Sequence, residues 1–287
     1  MKAVKFIPNI FRDLAKGFSK QKELDNALKR ARLTYTAEDW ASLSLFSFVV
    51  AFLIAFFLTT LFAYFLKQGI LSLIIGLVLA AIASTITFAF IYYYPWLVAD
   101  ERKKKIENAL PFATLYLATL AHSGMPPQYM FKILAKFKEY GELSKEAAKI
   151  SSDIETLGLD IIEALVRAIA RSPSPAWTEL LAGLRTTITI GGDLSKFLEE
   201  KANGFVAEYS RKLQEFSSFL SLLIEVYVTL IIIGAIFFII ISSIMSSIGA
   251  VPVSLLKAVN VLIVAVGIPI ITAMFIIIAK SVSPLED

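Results

Sequence analysis

The chain has no cysteine and only one histidine among its 287 residues. Without cysteine it can form neither disulfides nor thiolate metal sites. The single histidine, His122, excludes a HExxH zinc site and a Cys–His pair, and leaves at most one Ser–His arrangement. We expect His122 to lie in the last turn of a helix, where the helix dipole favours positive charge. The sequence therefore predicts no metal site and no catalytic residues.

The sequence also lacks a nucleotide-binding motif. It contains no glycine-rich phosphate loop followed by Lys and Ser or Thr, so we do not expect the chain to hydrolyse nucleotide. The Gly-Gly-Asp run at 191–193 invites comparison with intramembrane aspartyl proteases, but no long apolar stretch of this chain contains an aspartate. The sequence predicts a protein that is not an enzyme and has no cofactor. Any energy it uses must come from a partner.

Charged residues are scarce, at 18%, and they avoid four long stretches of the chain. Hydrophobic residues make up 57%, whereas soluble globular proteins have roughly 45–50%. A transmembrane helix needs roughly 20 mostly apolar residues to cross about 30 Å of hydrocarbon. The sequence therefore predicts two transmembrane hairpins, within 41–98 and 216–287. The four predicted spans are residues 41–66, 70–97, 221–243 and 255–279.

Lys and Arg residues indicate how these spans are oriented. Nine lie in residues 1–40, sixteen in residues 99–215 and one, Lys280, in the tail, against only Lys67 and Lys257 on the opposite side. Because cytoplasmic loops are enriched in Lys and Arg, both termini and the block 99–215 are predicted to be cytoplasmic, in a multi-pass protein of the cell membrane. The block balances its charge with sixteen acidic residues. The net charge of +4 therefore favours membrane lipids over nucleic acid as a partner.

Residues 1–40 are predicted to form an N-terminal amphipathic cytosolic segment. Apolar residues between 7 and 18 recur at spacings of three and four, with basic residues elsewhere around the helix. Such a helix suits the membrane interface, and packing on the protein's own cytosolic part explains the pattern equally well. A second short helix is expected over 23–32. Thr36 and Asp39 then have the spacing of a capping box that opens the first span.

The block 99–215 contains start and stop signals for about six helices. No strand-like alternation of useful length interrupts the pattern, and the sixth helix is expected to continue into the third span. We predict an all-α integral membrane protein whose four transmembrane helices flank a cytosolic six-helix bundle. The expected helix starts are Pro111, Pro126-Pro127, Ser144, Asp160, Pro175 with Ser174 as its cap, and Asp193.

Three features in or beside the spans could have special roles. Glu225 is the only acid in a predicted span, which makes it an intramembrane polar candidate. It lies near the cytoplasmic end of its span, so an interfacial or helix-paired carboxylate and an ion or proton relay are both open. Gly267 and Pro269 are expected to bend the fourth span. The basic run 102–105 is expected to anchor the second span, with phosphate binding as the alternative.

Four short motifs carry a resemblance to a known family. They are Leu-Thr-Tyr-Thr-Ala-Glu-Asp at 33–39, Ile-Glu-Asn-Ala-Leu-Pro at 106–111, Leu-Ala-His-Ser-Gly-Met-Pro at 120–126 and Gly-Gly-Asp-Leu-Ser-Lys-Phe-Leu at 191–198. In this order and topology, the chain resembles the F-domain platform proteins of type II secretion, type IV pilus and archaeal flagellum (archaellum) machineries, over about residues 33–280. Bacterial relatives often carry Gly-Glu-x-x-Gly at the second turn. Residues 190–192 lack that Glu, so no acidic or metal site is carried over.

The resemblance implies a membrane platform without enzymatic activity. Its cytosolic bundle would contact a hexameric secretion ATPase, and its spans would contact pilin-like subunits that are lifted into a growing filament. This chain has one copy of the domain, as in the single-copy, tight-adherence-like or archaeal form, which implies a dimer with itself or with a sister F-domain protein. The candidate ATPase contacts are Arg102, Lys103, Lys104, Lys105, Ser123, Gly124, Gly192 and Asp193.

Two other functions stay open at this point. A small transporter or ion-conducting membrane protein with a cytosolic regulatory bundle would depend on Glu225, because an ionisable group in hydrocarbon is a functional candidate by default. Transporters usually have more polar groups at mid-membrane, with broken helices or repeats. A structural scaffold without a motor partner is the third alternative.

Overall fold

The computed structural model of the chain describes residues 21–65, 70–249 and 252–282, and within these ranges all regular structure is helical. The amphipathic helix predicted between residues 7 and 18 lies outside the described residues. The loop between the first two predicted spans, residues 67–69, lies outside them as well.

Four helices in the described part of the chain are long and apolar enough to cross a membrane. Each predicted span overlaps one of them, so the number and order of the membrane-length helices are confirmed. They lie within Ala37–Leu61, Gly76–His122, Leu194–Ile248 and Ser254–Val282.

The first of two compact units comprises residues 1–199. It begins with helices α1 (Gln21–Arg30), α2 (Ala37–Phe65) and α3 (Ile70–His122). The backbone N–H of Asp39 donates to Thr36 Oγ1 at 3.2 Å. The capping residue predicted to open the first apolar helix is thereby confirmed.

The apolar side of α1 packs where α2 and α3 carry their aromatic residues. Trp40 Nε1 donates to the backbone oxygen of Ile91 at 3.1 Å, which joins α2 to α3. The Trp40 ring stacks on Tyr94 with 6.2 Å between centroids. The cluster contains Leu24, Leu28, Ala37, Trp40 and Ala41, with Ile91, Tyr92 and Trp96 packed against it.

α3 is one continuous helix of 53 residues, about 80 Å long at 1.5 Å per residue. It runs through Pro95 and Pro111, so the prediction that Pro111 opens a separate helix is wrong. A proline inside a helix removes a backbone hydrogen bond and costs about 3 kcal/mol. The helix continues because side chains on both sides of Pro111 are fixed in the core. These are Ile106, Leu110, Ala113 and Leu117, each at most 1% exposed.

The rest of the bundle in this unit consists of α4 (Pro127–Leu134), a 3₁₀ turn (Lys138–Tyr140), α5 (Gly141–Leu157), α6 (Ile161–Arg171) and α7 (Pro175–Ile190). The predicted caps of α6 and α7 are confirmed, because Asp160 accepts from the backbone N–H of Ile162 and Ser174 accepts from that of Trp177. Trp177 is fully buried and packs edge-on against Phe131. The bundle therefore has an aromatic centre.

The predicted start of α5 at Ser144 is wrong, because the helix begins three residues earlier, at Gly141. The 3₁₀ turn continues directly into α5, so no break in the chain precedes Ser144. Its hydroxyl instead donates to the backbone oxygen of Ala135 at 3.2 Å. This bond joins the end of α4 to the first turn of α5.

α8 (Leu194–Ile248) begins where predicted and runs for 55 residues. The carboxylate of Asp193 accepts from the backbone N–H of Lys196 at 3.1 Å, which is an N-cap hydrogen bond. The expectation that the sixth helix continues unbroken into the third apolar stretch is confirmed.

The second compact unit, residues 200–287, contains most of α8, then α9 (Val253–Leu262), a π-helical turn (Ile263–Gly267) and α10 (Ile268–Val282). The Tyr227 and Thr272 hydroxyls lie 2.9 Å apart, so a polar contact joins α8 to α10. The π turn ends two residues before Pro269, whose missing N–H cannot continue the regular pattern. The helix is therefore irregular where a bend was expected, and the bend itself stays a prediction.

Candidate functional site

A buried arginine joins α3 to α5. Arg102 lies six residues after Trp96, and its side chain is 9% exposed. Its Nε donates to Glu142 Oε2 at 2.8 Å and its Nη2 donates to Glu146 Oε1 at 2.7 Å. Its Nη1 donates to the backbone oxygen of Arg30. Burying an unpaired charge costs several kcal/mol, so these three acceptors explain how Arg102 is accommodated.

Glu146 is the centre of this arrangement. Its side chain is 1% exposed and faces three guanidinium groups. Arg102 Nη2 lies 2.7 Å and Arg32 Nη2 lies 3.1 Å from Oε1, while Arg171 Nε lies 3.5 Å from Oε2. Glu146 therefore joins three arginines that come from three different parts of the sequence.

A second buried carboxylate extends the arrangement along α5. Asp153, at 3% exposure, accepts from Arg171 Nη1 at 2.7 Å and lies 3.1 Å from Lys149 Nζ. Glu142 also pairs with Lys145 at 2.6 Å. We name the six central residues the arginine cluster: Arg32, Arg102, Arg171, Glu142, Glu146 and Asp153.

The cluster alters the proton affinity of two carboxylates. Burial, the largest influence, raises the pKa of Glu142, but hydrogen bonds and charge from Lys145 and Arg102 together lower it below its ordinary value of 4.5. Burial likewise raises the pKa of Asp153, but hydrogen bonds and charge from Arg171 and Lys149 lower it by more. The pKa of Asp153 is therefore below its ordinary value of 3.8. Both acids are therefore ionised at neutral pH, which the buried arginines require.

The arginine cluster connects the first apolar hairpin to the bundle. Arg32 follows α1, which leads into α2, and Arg102 belongs to α3, which continues from the second apolar stretch. Glu146 belongs to α5, and Arg171 ends α6. A displacement of α5 against α3 would separate buried charges, so the cluster resists such movement.

Arg32 occupies an unusual backbone conformation, with φ of 56°. The N–H of Arg32 donates to Lys29 O and the N–H of Leu33 donates to Leu28 O, at 3.1 and 2.9 Å, which is a Schellman motif at the end of α1. Glycine is the usual residue at this position, because a side chain is strained at positive φ. The contacts of the Arg32 side chain with Glu146 and with Lys145 O offset that strain.

The structure separates the predicted basic run into different environments. Arg102 is buried in the cluster, whereas Lys103 is half-buried and Lys104 is exposed. Lys104 pairs with Asp100 at 3.2 Å and Lys105 with Glu101 at 2.8 Å, each one helical turn earlier. The lysines of the run are therefore accessible to solvent, whereas Arg102 faces the protein interior.

The two turns chosen from the sequence are exposed. Gly124, with φ of 74°, ends α3, and Gly191, with φ of 69°, ends α7. His122 Nε2 lies 3.6 Å from Glu199 Oε2, so the residues that flank the two turns are in contact. The structure thereby brings the end of α3 to the first turns of α8. The four candidate contacts here, all exposed, are Ser123, Gly124, Gly192 and Asp193.

The start of α8 also fits closely against α7. A Cβ added to Gly183 would lie 2.4 Å from Phe197 Cζ and 2.7 Å from Cε2. Only glycine allows the aromatic ring to approach the α7 backbone this closely. This contact fixes the first turn of the long helix α8 on the bundle.

Glu225 lies on an exposed part of α8, in the second unit. It lines an open, mostly apolar groove along the helix, together with Thr229 and Gly234. The structure thus places the intramembrane polar candidate on a helix surface.

Sequence reasoning missed Glu142, Glu146 and Arg171. A local signal existed, because Glu146 and Asp153 share the helical face of Leu143 and Ile150, which are fully buried. Charged residues that recur within an apolar stripe indicate buried pairs. Their partners could not be assigned, because Arg102 and Glu146 are 44 residues apart in the chain.

Comparison with known proteins finds a described family that part of the chain resembles. Residues 113–242 match the family described as Type II secretion system (T2SS), protein F. The match includes the last ten residues of α3, α4 to α7 and most of α8. No solved structure matches the chain.

Three relatives come from Methanocaldococcus jannaschii. Two are uncharacterized proteins, 27% identical over 135 residues and 28% identical over 135 residues. The third is Flagella accessory protein J, 26% identical over 137 residues. Each match covers 47% of this chain, and the matches cover 23%, 39% and 24% of the three relatives. The chain therefore matches less than half the length of these relatives.

Proposed function

We propose, from the match of residues 113–242 to the family described as Type II secretion system (T2SS), protein F, that the chain is a membrane platform protein of a pilus-like or archaellum-like machine. The observation that carries the proposal is this match, in a chain whose described residues include four helices of membrane-spanning length. The similarity to Flagella accessory protein J favours a filament-building machine. The platform has no catalytic role of its own.

In this proposal both apolar hairpins are inserted in the cytoplasmic membrane. The block 99–215 lies in the cytoplasm as a bundle of six helical segments: the second half of α3, α4 to α7, and the start of α8. Both termini are cytoplasmic, because Lys and Arg concentrate on that side.

The platform couples a hexameric secretion ATPase to pilin-like subunits. The ATPase contacts the exposed turns at 123–124 and 192–193, with the lysines at 103–105 as a second contact. Its movements reach the first hairpin through α3, which is unbroken, and through the arginine cluster. The spans contact the pilin-like subunits, and the platform dimerises with itself or with a sister F-domain protein.

The absence of cysteine makes the ATPase contact directly testable. Single cysteines introduced as Ser123→Cys and Gly192→Cys in the full chain would report crosslinking to the ATPase in native membranes. Thr156→Cys is the matched control, because Thr156 is exposed in the last turn of α5, outside both turns. We expect crosslinks to the ATPase from positions 123 and 192 and few from 156.

Two results would contradict parts of this proposal. Crosslinks from position 156 alone would move the contact to another face of the bundle. No crosslink from any position, with the chain folded and the ATPase present, would remove the ATPase as a partner.

A second candidate function, a small transporter or ion-conducting protein, is favoured by one observation: Glu225 lines a groove on a membrane-length helix. Liposomes that contain the full chain should then show a flux that Glu225→Gln abolishes. No flux from the parent chain, together with normal filament assembly by Glu225→Gln, would exclude this function.

A further inference from the structure

α1 lies beside the aromatic residues of the first hairpin. Leu24 and Leu28, each 1% exposed, belong to the same cluster as Trp40, and Tyr92 and Trp96 pack against that cluster. Trp and Tyr side chains concentrate at the headgroup level of a bilayer. In the inserted protein, the solvent-exposed side of α1 is therefore at headgroup depth. Arg102 is six residues beyond Trp96, so Arg102 and the arginine cluster lie about 9 Å further along α3 than Trp96.

Two arginines lie at this depth, one at the end of α1 and one just after it. Arg30 is exposed, and its side chain forms no ion pair with any residue in the described ranges. Arg32 has a 34% exposed side chain and uses Nη2 for Glu146 and for Lys145 O. Its Nη1 and Nε form no hydrogen bond with an acceptor among the described residues. The fork of a guanidinium group matches the oxygens of a phosphate.

Three acids near these arginines, Glu142, Glu146 and Asp25, already form ion pairs with other basic side chains. Glu142 pairs with Arg102 and Lys145, and Glu146 pairs with three arginines. On α1, Asp25 pairs with Lys29 at 2.6 Å. Glu23 lies about 10 Å from Arg30 along the helix, at 1.5 Å per residue. None of these four acids therefore pairs with Arg30, which adds a positive charge at this end of α1.

The end of a helix would ordinarily oppose an anion, because its free carbonyl groups carry partial negative charge. Here those carbonyl groups are occupied. Leu28 O and Lys29 O accept the two Schellman hydrogen bonds, and Arg30 O accepts from Arg102. The Arg32 side chain is also retained despite positive φ, where glycine would relieve backbone strain.

We propose that Arg30 and Arg32 form a binding site for the phosphate of an anionic phospholipid headgroup, at the cytoplasmic end of the first hairpin. Lys145 lies at the edge of this site. The site rests on the membrane insertion proposed above and gives the platform a lipid contact where the hairpin meets the bundle. A lipid bound here would hold α1 and the arginine cluster at the membrane surface.

The test uses the full chain in nanodiscs that contain phosphatidylcholine alone or an equal mixture with phosphatidylglycerol. Native mass spectrometry after release from the nanodiscs counts the lipids that the protein retains. Arg30→Gln removes an exposed guanidinium without removing an intramolecular side-chain contact of the described residues. Arg32→Gly removes the second guanidinium group, and glycine is compatible with the positive φ at this position. Lys29→Gln is the control for each single substitution, with the same charge change at a lysine that is already paired with Asp25.

We expect retention of phosphatidylglycerol by the parent and by Lys29→Gln, and about tenfold weaker retention by Arg30→Gln combined with Arg32→Gly, because two phosphate-binding guanidinium groups are lost. Equal retention by all three proteins would overturn the site. Loss of the bound lipid on addition of inorganic phosphate alone would show a site for free phosphate rather than for a headgroup. Failure of the chain to enter either nanodisc would contradict membrane insertion itself, whereas entry with no preference for phosphatidylglycerol would contradict only the lipid site.

Discussion

Arg102 Nη2 and Glu146 Oε1 lie 2.7 Å apart in a part of the bundle where both side chains are less than 10% exposed. We expect Arg102→Gln to lower the free energy of unfolding by about 3 kcal/mol, because removing one partner of a buried ion pair leaves the other charge uncompensated. Chemical unfolding of the full chain in detergent, followed by circular dichroism, measures this change.

The control for Arg102→Gln is Lys104→Gln, two residues later on the same helix. Lys104 is 73% exposed at its side chain and pairs with Asp100 at 3.2 Å, and such surface pairs contribute about 0–1 kcal/mol. Similar losses for the two variants would contradict the buried role of Arg102.

Acid should destabilise the protein through Glu142 and Asp153. Both have a pKa below the ordinary values of 4.5 and 3.8 in the folded state, so the unfolded chain binds more protons as the pH falls. Their stabilising contribution is complete above these ordinary values and is lost as the pH drops through and below them. We expect the free energy of unfolding to decrease with acidification in this window.

Asp153→Asn identifies the source of this acid sensitivity. The variant should be less stable than the parent at neutral pH and should lose less stability on acidification. Glu101→Gln removes a carboxylate that is 64% exposed and serves as the control. An acid dependence for Asp153→Asn as steep as that of the parent would exclude Asp153 as a contributor.

Gly183→Ala should destabilise the joint between α7 and α8. The new methyl group would lie 2.4 Å from Phe197 Cζ, and overpacking of this kind costs about 1–3 kcal/mol. Phe197→Leu in the same protein should recover part of the loss. Gly204→Ala, in open space on α8, should instead be neutral or stabilising by up to about 1 kcal/mol, because alanine favours helix. Thermal unfolding midpoints of the four proteins distinguish these outcomes, and equal midpoints for both glycine variants would contradict the contact.

The parts of the fold that could be predicted were those set by local chemistry. The four membrane-length helices follow from composition alone, since a span requires about 20 apolar residues. The caps at Asp160, Ser174 and Asp193 were also predicted, because a cap satisfies free N–H groups within three residues. These features need no knowledge of how the helices pack.

The failures have a different physical origin. Pro111 and Ser144 carry genuine helix-start signals, yet packing of the surrounding side chains and the 3₁₀ turn before α5 override them. The arginine cluster joins Arg32, Arg102 and Glu146 across the fold, and only the three-dimensional packing brings them together. The basic run was interpreted as one surface, because the sequence does not tell which side of α3 is buried.

The unbroken path of α3 gives a last prediction, which concerns coupling between the bundle and the hairpin. Replacing Val98 and Ala99 by glycine places a flexible point between Trp96 and Arg102, at a cost of about 1 kcal/mol per glycine. If α3 transmits movement as a rigid rod, Val98→Gly with Ala99→Gly should retain ATPase crosslinking at position 123 and lose most filament assembly. Val98→Ala, which keeps the helix stiff, is the control and should assemble filaments normally. Normal assembly by the glycine variant would show that the arginine cluster or the second hairpin transmits the movement without a rigid segment at residues 98–99 of α3.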